Sequence, residues 1–130
     1  MGVGVLTEDV EELSRKVLDA AFKVHRNLGP GLLESVYERC LCYELRRNGV
    51  EIQTQLSVPI IYDGVHIDAG LRIDILVADV IIVELKAVEK IHLLCVAQVL
   101  TYLKLAGLRL GLVINFNVPL LRDGIRRIIR

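Results

Sequence analysis

The sequence predicts an α/β protein, a mixed β-sheet flanked by α-helices in the order α-α-β-β-β-α-β plus a terminal element. Three observations carry that expectation. The N-terminal part repeats apolar side chains at helical spacing. Val80-Ile81-Ile82-Val83-Glu84-Leu85-Lys86 is nearly all apolar until its end, as in a central strand buried on both faces. A strand, a helix and a strand then follow one another up to Phe116, which implies a right-handed crossover and a parallel pair.

The elements follow in order. Thr7 is a helix cap, with Glu8 and Asp9 in the first turn, where acids suit the helix dipole. Val10, Leu13, Val17, Ala20, Ala21, Val24 and Leu28 then fall at helical spacing. Gly29-Pro30-Gly31 ends it by a glycine cap and a proline break. A second helix is expected from about Leu33 to Asn48, with Val36, Leu41 and Leu45 on its apolar stripe and Gly49 as its stop. Gln53 to Tyr62 alternates in part and contains Pro59, which suggests an edge or bulged strand. Asp63-Gly64 is a hairpin signal. Leu71 to Val77 and Val80 to Ala87 read as two strands around Ala78-Asp79. A helix is expected from Leu93 to Leu105, stopped by Gly107, and a strand from Arg109 to Phe116. Gly124 to Arg130 suits a helix or a strand.

Composition sets limits on function. The 130 residues fit a single domain spanning residues 1–130. Hydrophobic residues make up 53% and aromatics 5% with no Trp, so the core is built from Leu, Ile and Val. Lys and Arg total 16, and so do Asp and Glu, which argues against a protein that coats nucleic acid by bulk charge. The C-terminal part, from Lys104 on, is basic, as a phosphate contact or a solvated tail would be. No stretch of ~18 apolar residues suggests a membrane span. Met1 to Leu6 has no basic leader pattern, so a cytoplasmic chain is expected. Cys40, Cys42 and Cys95 lack disulfide or metal spacing and read as free thiols.

Glu84 and Lys86 are the residues that break the apolar pattern. They sit two apart on a strand, so both leave the same face. Burying such charges unpaired costs several kcal/mol, so they need each other, a metal or a substrate. If the flanking strands form a hairpin centred on Asp79, Asp74 lies opposite Glu84. Two carboxylates that close repel unless a cation lies between them, and hard oxygen donors suit Mg²⁺ or Mn²⁺. A structural salt bridge to Lys86 or Arg72 is the plainer alternative. Gln98 and Tyr102 share a face of the following helix, and Glu34, Tyr37 and Glu38 share a face of the second helix.

These residues carry a resemblance. Gly31-Leu32-Leu33-Glu34-Ser35-Val36-Tyr37 matches the pattern that names the GxxExxY family, and the chain resembles that family, a compact branch of the PD-(D/E)XK nuclease superfamily. His25-Arg26-Asn27-Leu28-Gly29-Pro30-Gly31 and Asn115-Phe116-Asn117-Val118-Pro119-Leu120-Leu121 extend the resemblance over nearly the whole chain. Asp74 with Glu84-Leu85-Lys86 resembles the superfamily's metal and catalytic motif. Gln98-Val99-Leu100-Thr101-Tyr102 resembles the QxxxY motif of RecB-type and lambda-exonuclease-like members. Ile73 stands where the superfamily's name has proline, a position known to be loose.

The resemblance implies a restriction-endonuclease-like core and a metal-dependent nuclease, with DNA favoured over RNA. Asp74, Glu84 and the Leu85 carbonyl would hold one or two Mg²⁺ or Mn²⁺ ions. Lys86 would orient or deprotonate the attacking water. Glu34 or Glu38 would complete the metal shell. Gln98 and Tyr102 would position the shell or a substrate phosphate, and Tyr37 is counted with the substrate-binding residues. A homodimer or a larger complex is expected. Two other classes stand beside this: a non-catalytic nucleic-acid-binding or scaffold subunit with the same fold, and a small-molecule binder that rests only on apolar composition.

Overall fold

A computed structural model describes residues 6–68 and 70–130. The start at Met1 to Val5, on which the expectation of no leader largely rests, lies outside the described residues. Among the described residues no helix is long and apolar enough to cross a membrane.

The first helix, α1 (Glu8–Leu28), begins where expected, with Thr7 Oγ1 accepting from the Val10 N–H at 3.3 Å. It stops at Gly29, whose φ of +67° favours glycine and whose N–H caps the His25 carbonyl. The second helix, α2 (Glu34–Arg47), buries Tyr37, Leu41, Cys42 and Leu45. Val36 was expected on that stripe, yet it is exposed, because Tyr37 takes the inward position one residue on.

The segment from Gln53 to Tyr62 is not one strand. Val58-Pro59 divides it into β1 (Ile52–Ser57) and β2 (Ile60–Tyr62), since proline has no N–H for a ladder. β2 pairs with β3 (Val65–Ile67) in a separate two-stranded sheet. Asp63 and Gly64, both at positive φ, form the turn between them. Next come β4 (Arg72–Val77), β5 (Ile81–Lys86), α3 (Leu93–Ala106), β6 (Leu110–Asn115), the short 3₁₀ turn Leu121–Gly124, and β7 (Ile125–Ile129). The ambiguous C-terminal piece is therefore a strand. It closes the sheet edge beside β6, and its arginines blunt that exposed edge.

The five strands run in the order β1-β4-β5-β6-β7, with β5 in the centre. β5 and β6 are parallel and the other neighbours are antiparallel. The mixed sheet flanked by helices expected from sequence is thus the observed architecture. One core cluster joins α1 and α2 to Ile81, Val83 and Leu85 of β5. The other joins Val99, Tyr102 and Leu103 of α3 to Ile82 and Val113. By strand alternation Glu84 and Lys86 leave β5 with Ile82, on the α3 side.

Candidate active site

The site forms where β4 and β5 separate. Ala78 and Asp79, both at positive φ, make the tight turn, and pairing runs through Val77–Ile81 and Leu76–Ile82 to Ile75–Val83. The expected register would next place Asp74 opposite Glu84. There the backbone ladder stops and side chains replace it. The Asp74 N–H donates to Glu84 Oε1 at 3.1 Å, and the Leu85 N–H donates to Asp74 Oδ2 at 2.9 Å. Each carboxylate is held by the other strand's backbone.

This arrangement sets two acids side by side. Glu84 is 5% exposed. Burial, then the charge of Asp74, push its carboxyl up to about 7. Lys86 is half-buried, and its charge reaches Glu84, Glu34, Tyr102 and Cys95. On α2, burial and the nearby Asp74 raise both Glu34 and Glu38, with Lys86 acting in the opposite direction on Glu34. The Gln55 amide donates to Glu38 Oε1 at 2.9 Å. Tyr102 is almost fully buried. Burial and Glu84 raise its phenol, while the Arg72 backbone N–H works against them.

The structure therefore gathers Glu34, Glu38, Asp74, Glu84, Lys86 and Tyr102 into one electrostatic neighbourhood. Gln98 lies one turn before Tyr102 on α3, exposed, with no hydrogen-bond partner among the described residues. Tyr37, expected among the substrate-binding residues, lies in the core. It is 0% exposed and stacks on Phe116 with ring centroids 4.5 Å apart. Its Oη donates to the Gly29 carbonyl at 2.6 Å and accepts from the Leu32 N–H at 3.1 Å. Every polar contact of the phenol is used inside the fold. Its part is to hold the Gly29–Leu32 turn, and so the start of α2, where Glu34 stands. Gly31 supports the same turn with a φ of +102°.

Sequence reasoning missed two residues. Gln55 is one; its unusual backbone leaves no trace in an alternating strand. Asn115 is the other, quoted in a motif but assigned no role. It is 1% exposed at the end of β6. Its Oδ1 accepts from the N–H groups of Val88 at 3.0 Å and Asn117 at 3.2 Å, and its Nδ2 donates to the Val88 carbonyl at 2.9 Å. Asn115 thereby pins the chain two residues past Lys86.

The donor chemistry fits a hydrated hard cation. Each carboxylate uses one oxygen on a backbone N–H, so Glu84 Oε2 and Asp74 Oδ1 take no backbone donor and the two carboxyls face each other. The Leu85 N–H faces Asp74, so its carbonyl lies on the same strand edge. Among the described residues no group of three His, Cys, Asp or Glu makes a metal cage. Mg²⁺ does not need one, because it keeps several waters and binds through one or two carboxylates.

Residues 11–128 match the family model of the PD-(D/E)XK nuclease superfamily. The chain belongs to that superfamily, whose members are generally phosphodiesterase nucleases that use Mg²⁺ or similar divalent metals. No curated protein and no solved structure gives a significant match to it.

Proposed function

We propose that residues 1–130 act as one metal-dependent nuclease domain of the GxxExxY branch, hydrolysing phosphodiester bonds in DNA. The observation that carries this is the reciprocal pair Asp74–Glu84, with Lys86 on the same strand face as Glu84. The branch assignment is supported by Gly31, Glu34 and Tyr37, whose spacing has a physical use: the glycine turns the chain, the tyrosine holds the turn and the acid faces the site. The choice of DNA rests on the likeness of Gln98–Tyr102 to the QxxxY motif of RecB-type members.

In this reading Asp74, Glu84 and the Leu85 carbonyl would hold Mg²⁺ or Mn²⁺. A bound ion of this kind lowers the pKa of its water and polarises the phosphate. Lys86 orients or deprotonates the attacking water and stabilises the negative charge that develops on the phosphate oxygens. Glu34 or Glu38 completes the shell, directly or through water. Gln98 and Tyr102, one turn apart on α3, position the shell or the substrate phosphate. Leu33, Leu93 and Leu94 are strongly exposed apolar side chains, which supports a homodimer or a larger assembly.

The test is cleavage of labelled DNA with Mg²⁺ or Mn²⁺ by the wild type and by Lys86→Ala. The variant should keep the far-UV spectrum and lose cleavage. Wild-type-like cleavage by Lys86→Ala refutes the role. A wild type that binds DNA without cutting it is a scaffold subunit instead.

A further inference from the structure

Gln55 has a backbone that strands do not use. Its φ is +53°, within β1. Glycine takes this region freely, and asparagine or aspartate can offset it with a short local bond, but glutamine does neither. Such strain persists where the surrounding structure over-determines it, and it clusters at functional sites.

Three observations meet at this residue. First, the β1–β4 ladder runs through Thr54–Ile75 and resumes at Leu56–Ile73, and the interruption between them leaves Gln55 facing Asp74. Second, side chains change faces here. Ile52 packs with the α1–α2 core while Leu56, at the same strand parity, packs with the α3 core. Opposite, Ile75 packs with the first core and Ile73 with the second. A regular strand would keep each of these pairs on one face. Third, the side-chain amide reaches across to α2 and donates to Glu38 Oε1 at 2.9 Å.

We infer that Gln55 is a positioning residue of this site: its left-handed backbone turns β1 and β4 open beside Asp74, and its amide holds Glu38 as the helical acid. The inference rests on the metal-site reading above and deepens it. Glu38 stands near Asp74 and Glu34, like charges that would drive it out towards water. A neutral donor fixed on a strained strand keeps the carboxylate in place without adding charge. Glu34 has no such tether: it is exposed at the first turn of α2, with no hydrogen-bond partner among the described residues. Of the two helical acids the sequence offers, Glu38 is the one whose orientation is built in.

Gln55→Gly separates the two parts of the role, because glycine keeps the left-handed backbone and removes the amide. The metal-free variant should melt within a few degrees of the wild type. Its Mn²⁺ affinity, read from the rise in melting temperature with added Mn²⁺, should weaken by about tenfold, as for loss of a group that orients a metal ligand. On labelled DNA, kcat should fall by about as much while KM holds, because the amide orients a group that acts on the reacting phosphate. Gln55→Asn, one methylene too short, should not restore either quantity. Glu38→Gln leaves β1 intact and should weaken the Mn²⁺ response to the same degree, with the double variant no worse. A wild-type Mn²⁺ response in Gln55→Gly overturns the inference. So does a full response in Glu38→Gln, which covers the case of a glycine variant that fails to fold. A wild type without any Mn²⁺ response, indistinguishable from Asp74→Ala, overturns the metal reading itself.

Discussion

Replacing Glu84 by glutamine should make the metal-free protein more stable at mildly alkaline pH. The side chain is 5% exposed, and burial together with Asp74 raises its carboxyl from an ordinary 4.5 to about 7. Well below pH 4.5 the group is protonated in both the folded and the unfolded chain, so the fold bears no penalty. Between 4.5 and about 7 the unfolded chain has released the proton and the folded chain still holds it, so stability falls as pH rises. Above that window the full penalty applies, about 3 kcal/mol at one pKa unit per 1.36 kcal/mol. Glutamine carries no charge, keeps an acceptor for the Asp74 N–H, and offers Asp74 a donor in place of a like charge. At about pH 8 the metal-free variant should gain up to about 3 kcal/mol, or roughly 10 °C in melting temperature. Well below pH 4.5 the two proteins should coincide. Saturating Mg²⁺ should narrow the gap by stabilising the wild type alone. Urea unfolding followed by circular dichroism, with and without Mg²⁺, measures each term. A variant that loses stability at about pH 8, or whose difference from wild type does not change with pH, refutes the reasoning.

Two further predictions concern the framework of the site. Asn115→Ala leaves the Val88 N–H and carbonyl and the Asn117 N–H without their partner, so it should cost about 2–4 kcal/mol by urea unfolding. A variant as stable as the wild type would show that the loop after Lys86 does not depend on that side chain. Tyr37→Phe keeps the ring stacked on Phe116 and removes two hydrogen bonds of the Gly29–Leu32 turn. It should cost about 1–3 kcal/mol and reduce cleavage beyond what the unfolded fraction explains. Unchanged cleavage per folded molecule would detach the turn from the placement of Glu34.

Much of this molecule is written locally. Thr7 caps α1 with its own hydroxyl, and Gly29-Pro30-Gly31 stops it by backbone chemistry alone. The turn at Ala78-Asp79 sets the register that brings Asp74 to Glu84, and a hairpin pairing is countable from its turn. The break at Val58-Pro59 was less legible: the proline announced an edge or a bulge, and the structure makes it the boundary between two sheets. The terminal segment was ambiguous because Ile125, Ile128 and Ile129 satisfy either period, and only the free edge of β6 selects a strand.

By itself the sequence determined the helices, the central strand and the acids set in it, because capping, periodicity and a charge within an apolar run are properties of neighbours along the chain. Tertiary structure alone decided which residues serve the site and which serve the core. Tyr37 shares a helix face with two acids, yet its phenol meets only the Gly29–Leu32 backbone. Gln55 looks like any polar strand residue, yet its left-handed backbone and its bond to Glu38 place it beside Asp74. Both outcomes depend on groups distant in sequence, Phe116 for the ring and Glu38 with Asp74 for the amide, and only folding brings those together.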